Sequence, residues 1–439
     1  MSSFLEVAMK TIQVKTKLGI LEGESKVNSM IFRGVPYAEA PVGDRRFKVP
    51  MKKAKWDGIY EALEFKSQCP QPDPTEGFYG KEFYTDPKYP LPPQSEDCLY
   101  LNIWAPKKEG KFPVAFWIHG GAFDHGFSSE MEFDGEKYAS HDVILVTVNY
   151  RVGVFGFYAD PVLTKENTFH TTGNYGLLDQ IMALQWVYDN IDAFHGDRNR
   201  ITVFGQSAGA MSTQALITSP LTKGLIHSAI FQSGAGVENG ITRTKKMSDA
   251  YQTGDVIRKL CKVKNVSALR KLDANKLVSI LPELYKECGG LAFGPVNDGY
   301  LLQEDMDVAA KNGRIHNIPY MIGMTSDDIT IEKGTDARKS KFYEGCMKFL
   351  ELRLIYSKKP CYMYYFSKNL PSDEAGAFHS SELWYMFGTL DRCWRNMNAR
   401  DYRLSEAMIT AWTNFMKDDD PGAQWKPYTK KEQFVRNFM

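Results

Sequence analysis

The sequence predicts an α/β fold: a central, mostly parallel, twisted sheet with helices on both faces. Three observations carry this. Short apolar runs recur along the chain, and their length and β-branched or aromatic content read as buried strands. Stretches with helical periodicity lie between them. Strands that alternate with helices imply crossover connections, which cover both faces of a parallel sheet.

The clearest strand candidates are VAFWIHGG (114–121), VILVTVNY (143–150), ITVFGQS (201–207), HSAIFQSG (227–234), IPYMIGMT (318–325) and CYMYYFS (361–367). GNYGLLDQIMALQWVYDNI (173–191) carries apolar residues at helical spacing and precedes the ITVFG strand. In such sheets the functional loops gather at the carboxyl ends of the strands. A serine, a Gly-Gly pair and an Asp-Asp pair all fall at such ends. The loop from Cys69 to Cys98 is rich in proline and aromatics, including Phe78, Tyr79, Phe83, Tyr84 and Tyr89, and reads as a surface flap. No internal repeat or boundary divides the chain, so residues 1–439 are expected to form a single domain.

Composition narrows the function classes. Of 439 residues, 43% are hydrophobic and 24% charged, enough to bury a sizeable core. Lys+Arg 54 against Asp+Glu 53 leaves a formal charge of +1, which gives no reason to expect nucleic acid or an anionic membrane as partner. No apolar run reaches the length of a membrane span, and charges interrupt the N-terminal stretch early. A cytoplasmic protein is expected, or a secreted one if a leader has been removed. The seven cysteines are an odd number with no CxxC pair, which favours reduced thiols and argues against structural zinc. Walker A and GxGxxG patterns are absent, so no nucleotide cofactor is expected.

The chemistry centres on FGQSAGA (204–210). A strand precedes Ser207 and a plausible helix follows it. A sharp strand-to-helix turn would hold the serine in a strained geometry and push its Oγ out at the top of the sheet. The flanking glycines are needed because side chains there would meet the neighbouring strand and helix. A serine serving only as a helix N-cap is the plainer alternative. The strand before it favours the turn.

A serine hydroxyl needs a base to take its proton. On this kind of turn the partners follow in the order serine, acid, histidine. That order leaves His227, His316 and His379. His227 opens a strand only 20 residues after the serine, and His316 precedes one; His379 follows the CYMYYFS strand on a loop and is the best base. The acid should end a strand between them. IPYMIGMT is followed by Ser-Asp-Asp, which offers Asp327 and Asp328, and spacing does not choose between them. Donors for an oxyanion are expected at HGGAF (119–123), from the backbone N–H groups of Gly121 and Ala122, joined by that of Ala208.

These motifs together make the chain resemble the type-B carboxylesterases, the cholinesterase and para-nitrobenzyl-esterase family of α/β-hydrolases. The resemblance runs through FRGVPYAEAPVGDRRF (32–47), SEDCLYLNIWAP (95–106), WIHGGAF (117–123), NYRVGVFGF (149–157), FGQSAGA (204–210), FQSG (231–234), FGPVNDG (293–299), GMTSDD (323–328) and FHSSEL (378–383). It implies Ser207 as nucleophile, His379 as base and Asp328 as acid, where the family more often has Glu. It implies an oxyanion hole at Gly121, Ala122 and Ala208, and a supporting polar network at Gln206, Ser233 and Glu382. Gln206 stands where glutamate is more usual, and the lost charge removes one reason to expect strong cation binding; no choline-type site is evident. Cys69 and Cys98 match a disulfide of secreted members, and their loop is expected to overhang the mouth of the site.

Only 50 residues separate Asp328 from His379, where the family carries a longer helical insertion that helps roof the pocket. The roof region near 329–345 is therefore expected to be shortened. The resemblance implies a serine esterase that hydrolyses small carboxylic esters through an acyl-enzyme, without metal or cofactor, as a monomer or homodimer. A specialised acyl hydrolase for feruloyl, acetyl-sugar, amide or thioester bonds, or a non-catalytic binding member of the fold, are the alternatives.

Overall fold

A computed structural model of the protein describes residues 9–241 and 244–439. Twelve strands of the described residues form one sheet. They are β1 (Thr11–Lys15), β2 (Ile20–Ser25), β3 (Ser29–Pro36), β4 (Ile59–Glu61), β5 (Tyr100–Pro106), β6 (Phe112–Ile118), β7 (Ile144–Val148), β8 (Gly196–Gln206), β9 (Ser228–Gln232), β10 (Tyr320–Thr325), β11 (Cys361–Phe366) and β12 (Val435–Phe438). The order is β1-β2-β3-β5-β7-β6-β8-β9-β10-β11-β12, with β4 on β2. From β7 through β12 every neighbour is parallel; β1, β2, β3, β5 and β7 pair antiparallel. All six strands read from the sequence are present, the helix expected at 173–191 spans Tyr175–Asn190, and the mostly parallel α/β sheet stands.

The helices that bear on the site are α1 (Gly77–Phe83), α2 (Tyr175–Asn190), α3 (Ala208–Thr218), α4 (Leu281–Cys288), α5 (Lys341–Tyr356) and α6 (Ala399–Asp418). Strand β6 shows why the sheet must be covered on both sides. All seven of its residues are buried. Successive side chains point to opposite faces. Val114, Phe116 and Ile118 enter one core with Leu184 of α2, Leu216 of α3 and Phe349 of α5. Ala115 and Trp117 enter a second core with Met408, Trp412 and Phe415 of α6. A polar residue on either face of β6 would be buried without water, so the apolar run and the two-sided cover explain each other.

The carboxyl ends of β6, β8, β9 and β10 open on one edge of the sheet. His119, Ser207, Ser233 and Ser326 are the residues next after these strands or one beyond them.

Candidate active site

Strand β8 ends at Gln206 and α3 begins at Ala208, so Ser207 alone makes the turn. Its backbone is at φ 56°, ψ −123°, a conformation that costs a non-glycine residue on the order of 1–3 kcal/mol. The strain is held by neighbours. Ser207 N–H donates to the Gln232 carbonyl on β9 at 2.8 Å, and the Ser207 carbonyl accepts from Met211 N–H at 3.0 Å. A Cβ on Gly209 would lie 2.0 Å from the Ile118 carbonyl oxygen, and one on Gly205 would lie 2.5 Å from the Gly209 backbone. Both glycines are thus required by close backbone approach, as the sequence led us to expect.

The two aspartates after β10 divide their work. Asp328 Oδ1 lies 2.5 Å from His379 Nδ1. Its carboxylate also accepts from Ile329 N–H at 2.8 Å and Thr325 N–H at 3.1 Å, which orients it. Asp327 turns the other way. Its N–H donates to the Ala377 carbonyl and its Oδ2 accepts from Ala377 N–H, each at 3.0 Å, so it fastens the segment that carries the histidine. The choice that spacing left open falls, in geometry, on Asp328.

His379 is bonded on both ring nitrogens. Nδ1 faces Asp328, and Nε2 is 3.1 Å from the side-chain amide nitrogen of Gln206. An amide N–H donates, so Nε2 must accept and Nδ1 must carry the proton. That tautomer keeps the basic lone pair on Nε2, and His379 lines the same cavity as Ser207. Burial works against a charged imidazole here, but the Asp328 carboxylate outweighs it and holds the His379 pKa above its ordinary value.

The turn after β6 is built to expose amides. Gly121 is at φ 98°, Ala122 at 52° and Phe123 at 67°. The Gly121 carbonyl points back into the turn and accepts from Asp124 N–H at 2.9 Å and His125 N–H at 3.0 Å. Among the described residues no protein acceptor takes the N–H of Gly121 or Ala122. Ala208 opens α3, where first-turn N–H groups have no helical partner. A Cβ on Gly120 would sit 3.1 Å from Ser207 Cβ, so this turn lies directly against the serine. Beneath it, His119 stacks on Tyr150 at 4.3 Å between centroids and donates from Nδ1–H to the Gly120 carbonyl at 2.9 Å. Burial lowers its pKa to about 3, so it is a neutral prop. Asp124 on the same turn bonds both His125 and the Tyr285 hydroxyl of α4.

Gln206 and Glu382 lie near the histidine, Ser233 follows β9 one residue past Gln232, and none of the three bonds another directly. Gln206 bonds His379. Glu382 Oε1 accepts from Gln232 at 3.3 Å, a residue that sequence reasoning passed over. Ser233 Oγ and Glu382 Oε2 are buried without a protein partner. Burial first, then the Asp328 charge, raises the Glu382 pKa to about 7. Cys69 and Cys98 stand as buried free thiols, and a hydrogen bond from Cys69, followed by burial, raises the Cys98 thiol well above its usual range.

Ser207, His379, Gln206, Gly121, Ala122 and Ala208 all line one cavity of about 730 Å³. That volume suits a small organic molecule. The Cys69–Cys98 loop overhangs it, with Tyr79 and Phe83 of α1 in its wall, as expected for the flap. Ile329 and Thr330, just past the acid, contribute as well. The wall also holds Glu130 and Glu132, which sequence reasoning missed; the signal was two acids within the otherwise apolar EMEF.

The carboxylesterase family model matches residues 10–344 and 337–438. The chain belongs to the carboxylesterase family. It is 33% identical to the para-nitrobenzyl esterase of Bacillus subtilis (strain 168) over 470 aligned residues, which cover 94% of this chain and 92% of that one. It is 30% identical to the fumonisin B1 esterase of Sphingopyxis macrogoltabida over 482, covering 96% of this chain and 85% of the relative. A solved PNB esterase structure superposes with a TM-score of 0.86 at 30% identity, covering 97% and 95% of the two chains. The carboxylesterase of Geobacillus stearothermophilus does so with a TM-score of 0.81 at 30% identity, covering 97% and 96%. The fold is the α/β-hydrolase fold, and this carboxylesterase is a serine hydrolase of small carboxylic esters. No helix among the described residues is long and apolar enough to cross a membrane.

Proposed function

We propose that this carboxylesterase works through Ser207 as nucleophile, His379 as general base and acid, and Asp328 as the group that orients and charges the histidine. The observation that carries the assignment is the Asp328–His379 bond of 2.5 Å, placed in the same cavity as a serine on a strained strand-to-helix turn. His379 Nε2 takes the Ser207 proton as Oγ attacks the ester carbonyl. The oxyanion settles on the N–H groups of Gly121, Ala122 and Ala208, where charge develops near a helix N-terminus. His379 then protonates the leaving alcohol. Water repeats the sequence on the acyl-enzyme and frees the acid. The residues require no metal or cofactor for these steps.

Gln206 serves as the donor that sets the histidine tautomer, and Ser233 and Glu382 as its polar surround. Residues 1–439 act as a single domain with a short roof near 329–345. The two family matches that meet at 337–344 support that reading of the roof. The protein acts as a monomer or homodimer, and its free thiols support a cytoplasmic setting.

The test is turnover of p-nitrophenyl acetate and butyrate beside a Ser207→Ala variant. Wild-type hydrolysis with loss of roughly 10⁵–10⁶-fold in the variant is expected. Equal rates in the two proteins would remove Ser207 from the mechanism.

A further inference from the structure

One wall of the cavity has no part in the acyl-transfer steps. Beyond the oxyanion turn, Glu130 and Glu132 reach the same cavity as Ser207. Glu130 is 7% exposed and Glu132 1%. Glu130 Oε1 accepts from Phe127 N–H at 2.9 Å. The Glu132 carboxyl and the Tyr84 hydroxyl both lie beside Glu130. Glu132 Oε2 is buried and has no protein partner.

A third buried acid nearby shows what is missing. Glu82 lies 3.0 Å from the Arg395 guanidinium and accepts from the indole N–H groups of Trp394 at 2.9 Å and Trp384 at 3.1 Å. Among the described residues no lysine or arginine pairs with Glu130 or Glu132, and none lines the cavity. His125 faces Glu130, but Asp124 already holds its Nδ1. The surrounding wall is aromatic, from Tyr79, Phe83, Tyr84 and Phe133. His125 serves Glu130 only, so Glu132 has no countercharge, and a buried acid without one destabilises the fold. Burial accordingly raises both carboxyls, and the repulsion of Glu130 adds to the rise at Glu132. A ligand that brings a positive charge and an N–H donor answers both deficits at once.

We propose that Glu130 and Glu132 form a substrate subsite for a protonated amine, so that the preferred esters carry an N–H ammonium group. This rests on the reading of Ser207, Asp328 and His379 given above. The unpartnered Glu132 oxygen asks for a hydrogen bond, which a quaternary ammonium cannot give. The subsite therefore selects amines that keep an N–H.

Three related esters test this at neutral pH: dimethylaminoethyl butyrate, its trimethylammonium counterpart, and the neutral analogue with CH in place of the protonated nitrogen. Butyrate release is followed for each, with p-nitrophenyl butyrate as reference. The protonated amine ester is expected to exceed the neutral one in kcat/KM by about tenfold or more, the size of one charge-assisted hydrogen bond, and to exceed the quaternary one. In Glu132→Gln the ratio of amine to neutral ester should fall close to one, and Glu130→Gln should lower it too. The wild-type comparison stands even where a variant fails to fold. Equal rates for amine and neutral esters, a quaternary ester that is best, or a ratio unchanged in both variants would each overturn the subsite while leaving the esterase mechanism intact. Failure to turn over p-nitrophenyl butyrate as well would instead sink the catalytic assignment beneath it.

Discussion

Asp327 and Asp328 are adjacent in sequence and act on neighbouring parts of one loop: Asp327 bonds the Ala377 backbone at 3.0 Å, and Asp328 bonds the His379 ring at 2.5 Å. One carboxylate fastens the segment and the next bonds the imidazole that the segment carries.

Asp328→Asn should cut kcat by roughly 10⁴-fold, because an amide that donates toward Nδ1 favours the wrong histidine tautomer. Asp327→Asn keeps an acceptor for the Ala377 N–H and should lose far less. Steady-state kinetics on p-nitrophenyl butyrate with both variants checks the pair. Equal losses would contradict the division of roles.

The rate should fall at low pH with an inflection above the ordinary histidine value of about 6.5. The base must be neutral to act, so activity disappears below its pKa. Asp328 raises that pKa, with burial opposing, which moves the acid limb upward. A profile of kcat/KM against pH reads this limb for the free enzyme. An inflection below the ordinary value would mean that burial outweighs the carboxylate.

Gly209→Ala should destabilise the protein by about 2 kcal/mol or more and abolish turnover. The new methyl would lie 2.0 Å from the Ile118 carbonyl oxygen, so β6 or α3 must shift, and Ser207 shifts with them. Denaturant unfolding and a burst assay measure the two effects.

Arg151 and Asp179 form a buried bidentate pair at 2.7 Å, and Arg151 also donates to the Lys48 carbonyl at 2.7 Å. Asp179→Leu would strand the guanidinium and should cost about 3–5 kcal/mol. Replacing both partners with apolar residues should cost less than the single change, and a double-mutant cycle on unfolding free energies tests that.

The parallel strands β6 to β11 were legible because their apolar runs are buried on both faces, and VILVTV or CYMYYF has no other comfortable place; β12, a short and only partly buried VRNF, was not. The antiparallel edge was not. β1 is TIQVK with alternating exposure, and so short a pattern does not stand out from a loop. The strand-to-helix turn at Ser207 and the loop that carries His379 were legible through local spacing and chain order. The choice between Asp327 and Asp328 was not, because both bond the distant segment 377–379 and only the fold shows that the imidazole meets Asp328. Glu130 and Glu132 were passed over because two acids in a loop ordinarily face water. Only the tertiary fold reveals that both are buried.

The bonds between Asp327 and Ala377 have a further consequence. Together with the donation of Ser326 N–H to the Phe366 carbonyl at 2.8 Å, they stitch the two loops together beyond the ends of β10 and β11. The chain between these loops starts and returns at anchored points. Its length can therefore grow or shrink at small entropic cost without moving the acid or the base. The ceiling of the cavity and the reaction beneath it become separable traits. Grafted segments of different length after Thr330 would redraw which molecules enter while the proton path stays where it is.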